Sequence, residues 1–365
     1  EFANDIGWSS HHVTAPAIAP TSSANSASSQ SAARNPEAIR RMGGNHNVRM
    51  SHLLFNIPPV GGAVRLTDWG LIRASGSDAR SFLHGQLTQD ILGLSGRQAV
   101  LAGYCSAKGR LLATFIAWSP GPDEVLLACS ADVLAQTLKR LSMFVLRAHC
   151  KLSDASHELA IWGLLGDAAP GWAGGDLPAS DWQWASGAGG TLIRLPGAPS
   201  AGTSVTRHLM VTALMPPTGV AAVDPQTWRA MEAQSGIARV VAATVDQFVP
   251  QMLNLEVVGG VSFSKGCYPG QEVVARSQYR GTLKRRAFVV EGEAEVEPGA
   301  ELFHSSDPDQ PAGMVALSGV IGGQQTLALA ELKLSVLDGG ELHVGSISGP
   351  AVRLGMQPYA LPSQQ

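Results

Sequence analysis

The chain has 365 residues, 45% of them hydrophobic and 15% charged, with 41 glycines, 22 prolines and a formal net charge of −3. That length allows two or three domains with ample core, and the glycine and proline content implies many turns. The near-neutral balance argues against a surface-wide binder of nucleic acid or another polyanion, while leaving room for a local basic patch.

Residues 1–49 do not read as a domain. No charged side chain occurs from Gly7 to Ala33, and Ser22 to Ser31 contains six serines. Such a tract cannot bury enough apolar surface to offset its ordering entropy, so a disordered or non-native extension is expected. A Ser-rich transit peptide is the competing reading, weakened by Glu1, Asp5 and the late Arg34, Arg40 and Arg41. From Met50 the chain turns apolar, with Leu53, Leu54 and Phe55 followed by a strand-like Ala63–Leu66. Nowhere does an apolar run reach the roughly 20 residues of a membrane span, so no membrane partner is expected.

Between Trp69 and Cys150, strands and helices alternate. Ser77–His84 reads as a capped helix with Asp78 in its first turn. Ala99–Cys105 and Leu111–Trp118 read as a strand pair around the Ser106–Gly109 turn, with Val125–Cys129 as a third strand. Val133, Leu134, Leu138, Leu141 and Phe144 fall at helical spacing. Ala168–Gly190 reads as a long connection in which Trp172, Trp182 and Trp184 can pack. Leu209–Leu214 is strand-like, and Pro225–Ala233 helical. Hairpins mixed with helices indicate an α+β core of mainly antiparallel sheets rather than a parallel doubly wound sheet. From Ala287 onward, short apolar segments separated by Gly, Pro and Asp predict a small β-barrel or sandwich.

Four cysteines, Cys105, Cys129, Cys150 and Cys267, are widely spaced, with no C-x-x-C pair. This is neither a zinc-finger nor a contiguous cluster-ligand pattern, and it suits a reducing, cytoplasmic compartment better than a disulfide scaffold. The densest chemistry lies in Lys265-Gly266-Cys267-Tyr268-Pro269-Gly270-Gln271-Glu272. Gly259–Phe263 reads as a turn feeding a short strand, and Gln271–Tyr279 as a helix that Gly281 can end. Pro269 suits the first helical turn, as does the negative charge of Glu272. Cys267 is then expected just ahead of a helix N-terminus beside Lys265, a setting that favours a thiolate. The alternative is a buried, inert cysteine beside a turn.

Arg276, Arg280, Lys284, Arg285 and Arg286 place five cations in eleven residues with no acid between them. Such a run is either a solvated face or an anion site for carboxylate or phosphate. Gln247, Gln251 and Asn254 sit among apolar residues just upstream, either satisfying turns or reading the rim of a flat heterocycle, and Glu256 can pair with an amine there.

The Lys265–Glu272 octapeptide resembles the signature of the YgfZ-type folate-binding proteins. These are relatives of the glycine-cleavage aminomethyltransferase that act as accessory factors in iron–sulfur cluster assembly or repair. The segments Gln247–Leu255, Tyr279–Arg285, Phe82–Asp90 and Ser106–Arg110 fit the same family in order, so the resemblance runs from about Leu66 to Gln357. It implies an aminomethyltransferase-like core of two α+β subdomains over residues 50–283 and a β-barrel over 284–365. It also implies tetrahydrofolate or a derivative as ligand, and a functional thiol at Cys267 supported by Lys265 and Arg276. Gln247, Gln251, Asn254 and Glu256 are the candidate folate contacts before the thiol. Gly270, Gln271, Glu272 and Arg280 are those after it. The implied partners are iron–sulfur proteins or assembly factors, including tRNA-modifying enzymes, with a cluster held at most transiently at Cys267.

The chain departs from the family's enzymes at two places. Where the aminomethyltransferases carry an aspartate pair after a Gly-Gly turn, an ungapped reading finds Ala113 and Thr114. Related proteins often carry Arg and Glu where Glu232 and Gln234 stand. The first departure favours an accessory factor over a folate-dependent one-carbon transferase, which needs an acid or base beside the folate. Direct RNA binding through the basic run is a further alternative.

Overall fold

A computed structural model describes residues 60–362 except 174–175, 188, 201, 214–219 and 282, and of residues 171–173 the backbone alone. The 1–49 extension, Met50 and Leu53–Phe55 lie outside the described residues, as does the side chain of Trp172. The first described elements are β1 (Gly62–Arg65), β2 (Trp69–Ser75) and α1 (Ala79–His84). Asp78 is the N-cap of α1 rather than a first-turn residue, and its carboxylate accepts from the His149 N–H at 2.7 Å. A hairpin of β3 (Ala99–Cys105) and β4 (Leu111–Gly121) follows, closed by the expected Ser106–Gly109 turn, where Ser106 N donates to Arg110 O at 2.8 Å. Then come β5 (Glu124–Ser130), α2 (Ala131–Ser142) and β6 (Lys151–Asp154). The apolar stripe of α2, including Val133, Leu134 and Leu141, is buried. These strands form an antiparallel sheet in the order β3-β4-β5-β2-β6.

The chain continues through β7 (Ala160–Leu165), α3 (Ala168–Ala173), β8 (Trp184–Gly187), β9 (Gly190–Ser200) and β10 (Thr203–Thr212). These strands make a second sheet in the order β1-β7-β10-β9-β8. The Ala168–Gly190 stretch is thus not a bare connection, because it carries α3 and the edge strand β8. Glycine and alanine weaken local strand propensity, and the register of β8 is set by pairing with β9. Next is α4 (Pro225–Gln234), opened by an Asp224 cap that accepts from Gln226 N at 2.8 Å, with Pro225 at its start.

After Pro250–Leu253, a single 3-10 turn, no strand forms at Gly259–Phe263, which is held instead by separate bonds such as Ser262 N to Thr88 O at 2.9 Å and Thr88 Oγ1 to Gly260 O at 2.6 Å. Helix α5 (Gln271–Tyr279) begins as expected, but Pro269 lies ahead of its N-cap, Gly270, instead of inside the first turn. The rest is a closed antiparallel barrel of β11 (Arg285–Gly292), β12 (Glu301–His304), β13 (Asp307–Ile321), β14 (Gln325–Lys333), β15 (Leu342–Val344) and β16 (Ala351–Leu354). Closure leaves no unpaired edge.

One core fills the space between the two sheets, where Leu71, Ile116 and Trp118 meet Ile193, Leu209 and Trp228 and extend to Ile321 and Leu327 of the barrel. A side chain at Gly319 would strike the backbone of Ala230, so the glycine lets β13 press directly on α4. A separate core joins Leu101 and Leu111 to Phe248, Leu255, Tyr268 and Val274, and through Val289 and Leu329 to the barrel. Among the described residues no helix is long and apolar enough to cross a membrane.

Candidate functional site: a thiol loop and a central cavity

Of the four cysteines, Cys267 is the exposed one. Burial pushes the thiols of Cys105 and Cys129 up to about 12, and it raises that of Cys150 with help from Asp78. The loop bearing Cys267 is pinned on both sides. Tyr268 is buried beneath it among Cys105, Leu111 and Phe248. On the other side, the Lys265 amino group donates to the carbonyls of His84 and Leu87, the latter at 2.7 Å, and lies 4.8 Å from the Tyr268 ring centre. Burial lowers the Lys265 pKa to about 8, partly opposed by Asp90 and Cys267. The amino group therefore spends its hydrogen bonds on backbone oxygens while acting on the thiol through space.

Two features follow from sequence spacing only after folding. Gly270 takes φ 79° and Gly109 φ 72°, and a Cβ on Gly270 would lie 2.7 Å from Gly109 Cα. Both glycines are thus needed where the β3–β4 turn packs under the start of α5. Three residues of turn separate Cys267 from the first residue of α5, so the thiol is not itself the helix cap. On the opposite flank His84 contacts Asp90 at 3.0 Å through Nδ1, and its Nε2 borders Gly266, at 3.7 Å from where a Cβ would stand. A histidine oriented by a carboxylate beside the cysteine loop could be suspected from Phe82–Asp90 only by knowing that α1 folds onto residue 265.

The basic run divides. Arg276, Arg280 and Lys284 are exposed. Arg285 instead grips Glu331 with two bonds of 3.0 and 2.8 Å. Arg286 is buried and donates to Glu256, to Gln251 O and to Asn254 Oδ1, the last two at 3.3 Å. Gln251 Nε2 donates to Val274 O at 2.8 Å, and Asn254 Nδ2 to Ala287 O at 2.8 Å. Burial raises the Glu256 pKa, and Arg286 opposes it. Gln251, Asn254 and Glu256 therefore tie the chain ahead of the thiol to α5 and β11. Gln247 is exposed, and its carbonyl accepts from Arg110 at 2.6 Å. Gln271 is half-buried and Glu272 exposed in the first turn of α5.

None of these residues lines the cavity at the centre of the fold. That cavity holds about 20 Å³, room for one water. Its walls include Thr114, Phe115, Trp182, Arg207, Glu232 and Arg239. Arg239 donates to Glu232 Oε1 at 2.9 Å, to Glu232 Oε2 at 3.2 Å, to Asp68 Oδ2 at 3.0 Å and to Ser130 Oγ at 2.8 Å, and it stacks 4.7 Å from the Trp69 ring centre. Burial disfavours its charge, but Glu232 and Asp68 outweigh that and raise its pKa. Arg207 differs. It is buried 5.0 Å from the Trp228 ring centre and donates to Pro196 O at 3.3 Å, while among the described residues its Nε has no partner. Burial lowers its pKa to about 10, with Glu232 opposing only from a distance. Thr114, the position read as the second of the absent aspartates, accepts from Val240 N at 3.0 Å.

A flat ring with donors and acceptors on its rim suits this set of an unpaired guanidinium, a carboxylate and aromatic walls. These polar groups are of the kind that meets the rim of a pterin, but the cavity has room for one water and admits no ring until its walls part. Arg207 and Arg239 were missed in the sequence. The available signal was a cation inside an apolar run, as in Ala238-Arg239-Val240, which marks a charge buried against a partner. Beyond Arg239, which lines both spaces, a cleft of about 430 Å³ opens between Asp68, Arg229 and the barrel residues Glu297 and Ser318.

No family model matches the chain. It is 34% identical over 260 residues to the tRNA-modifying protein YgfZ of Edwardsiella ictaluri, covering 73% of that protein and 65% of this chain. With YgfZ of Photobacterium profundum it shares 30% over 281 residues, covering 82% and 74%. The glycine cleavage system aminomethyltransferase T of Bartonella henselae superposes with a TM-score of 0.63 at 16% identity, over 82% of this chain and 87% of that one. The last likeness establishes the fold, and with the sequence matches it leads to one conclusion: the chain belongs to the YgfZ family.

Proposed function

We propose that this protein is a folate-binding accessory factor for iron–sulfur cluster assembly or repair, in which Cys267 is a thiol contact offered to a partner. The observation that carries the reading is the exposed Cys267 on a loop held by Lys265 and Tyr268, while Cys105 and Cys129 are buried. A thiolate is the reactive and metal-binding form of cysteine. We assign His84, whose Nδ1 lies 3.0 Å from Asp90 and whose Nε2 borders Gly266, the role of taking the thiol proton. Among the described residues no group of three or more His, Cys, Asp or Glu side chains could hold a metal ion, so Cys267 would contribute a single ligand to a cluster brought by the partner. Arg276 and Arg280, exposed on α5 and just after it, would meet acidic groups on that partner or the glutamate tail of the folate.

Accessory action rather than aminomethyl transfer is supported by the cavity. Thr114 has no carboxylate, and Glu232 is engaged by Arg239 through both oxygens. A bound folate would supply a ring to order the cavity, with Arg207 and Glu232 as its polar contacts. The relatives are named for tRNA modification, and we assign that link to iron–sulfur enzymes that modify tRNA as clients.

The test is complementation of an iron–sulfur-dependent tRNA modification in cells lacking the protein. Cys267→Ala should fold normally and fail to complement. Full complementation by that variant would overturn the thiol assignment. Alkylation rates at Cys267 measured against pH should shift in His84→Gln, and an unchanged profile would remove the histidine from the scheme.

A further inference from the structure

Just past α2, a short turn holds three large apolar side chains in solvent: Met143 is 59% exposed, Phe144 45% and Leu146 85%. A single exposed leucine is ordinary, whereas three such residues in one turn form a patch of the kind that meets a partner. The turn is not loose. Phe144 N donates to Leu141 O and Leu146 N to Phe144 O, both at 3.0 Å, and Val145 between them packs against the core that holds Ile72, Leu83 and Leu127. His149, further along, exchanges bonds with Asp78: its N–H reaches the carboxylate at 2.7 Å, and its carbonyl accepts from Asp78 N at 3.1 Å. The patch is thus set in place before any partner arrives. Its rim is cationic. From Val133 to Ser153 the chain carries Lys139, Arg140, Arg147 and Lys151 and no acidic residue. Lys139, Arg147 and Lys151 are exposed.

We propose that this turn is a docking surface for an acidic amphipathic helix of a partner protein, with Met143, Phe144 and Leu146 taking its apolar face and Lys139, Arg147 and Lys151 its carboxylates. An apolar centre inside a charged rim is the anatomy of a protein interface, and the cations select an acidic one. Methionine adapts to varied apolar partners. Nucleic acid would use the cations but leave Met143 and Leu146 in water, with Phe144 alone to stack on a base. A lipid surface would gain only the apolar side chains of one turn, a marginal anchor without a second signal. The surface deepens the thiol reading and rests on it for the partner's identity. Helix α1 runs from Asp78, which holds His149, to His84, whose carbonyl accepts from Lys265. Its 6 residues span about 9 Å, so one short helix separates the anchor of the patch from the anchor of the Cys267 loop.

The experiment measures binding of the full chain to a fluorescein-labelled synthetic helix with leucines on one face and glutamates on the other, and to its counterpart with lysines in place of the glutamates. Wild type should bind the glutamate helix, more weakly as salt rises, and not the lysine helix. Leu146→Asp should weaken binding at least about 10-fold, the factor for losing one buried leucine. Circular dichroism and an unchanged Cys267 alkylation rate check that fold and thiol are intact; should that variant not fold, Leu146→Ser replaces it. No binding of the glutamate helix by wild type, or equal binding by Leu146→Asp, would overturn the surface. Retention on vesicles of phosphatidylcholine and phosphatidylserine, or on an unmodified tRNA transcript, that Leu146→Asp abolishes would overturn the protein partner. In cells, Leu146→Asp should fail to restore the iron–sulfur-dependent tRNA modification, and full complementation would overturn the link to that function. Helix binding sensitive to Leu146→Asp together with full complementation by Cys267→Ala would keep the surface and overturn the thiol reading.

Discussion

Two buried arginines, Arg286 and Arg207, show how differently one fold can use the same group. Arg286 meets a carboxylate, a side-chain amide and a carbonyl, all contributed by Gln251–Glu256. Among the described residues Arg207 meets a tryptophan face and one carbonyl, and its Nε is left over. The first cluster meets its guanidinium with protein acceptors, although Gln251 Oε1 and Glu256 Oε2 have no hydrogen bond among the described residues, and it fixes the chain ahead of the thiol loop to the barrel. The second is unfinished and faces a cavity. Buried polar groups that satisfy one another are architecture, whereas a donor left without a partner points to something from outside.

The contrast can be broken or sharpened by substitution. The largest effect is expected at Glu232→Ala, which leaves Arg239 and Arg207 with less compensating charge. About 3–5 kcal/mol should be lost, read from denaturant unfolding. A loss near zero would mean that water already compensates these arginines. Arg286→Leu should cost less, about 1–3 kcal/mol, because Glu256 can respond by taking up a proton. If it matched Glu232→Ala, the two clusters would not differ as described.

Next is a pH effect at Lys265. Its folded pKa, about 8, lies below the ordinary 10.5, so above pH 8 the unfolded chain binds the extra proton. The lysine's contribution to stability should then rise from pH 8 to about 10.5. The difference between wild type and Lys265→Met carries that slope, since the raised thiols of Cys105 and Cys129 work in the opposite direction in both proteins. A flat difference would mean that the amino group is not desolvated. The smallest expected change is Cys267→Ser, an exposed site away from either cluster, within about 0.5 kcal/mol of wild type. A larger loss would return Cys267 to the packing reading.

Much of this was legible in the chain. The β3–β4 hairpin, α5 and the barrel strands announce themselves through periodicity and turn residues, because their decisive contacts are local or alternate along a strand. The partners of Arg286 were legible as residues, since Gln251, Asn254 and Glu256 lie within 35 positions of it; their engagement with one another was not. The cavity was illegible for a plainer reason. Asp68 and Arg239 are separated by 171 positions, and Arg207 reaches the same space from the second sheet. No spacing rule joins them, and only the stacking of the sheets does. The β8 edge strand was missed likewise, because its register comes from its neighbour β9.

One strand serves both regions. The turn leading into β4 ends at Gly109, in contact with Gly270 of the thiol loop, and five residues further on Thr114 and Phe115 form the cavity wall. At about 3.4 Å per residue that is a separation of roughly 17 Å along a hydrogen-bonded strand. β4 is thus a common beam: a shift of the cavity wall and a shift of the turn under the thiol loop would load the same member.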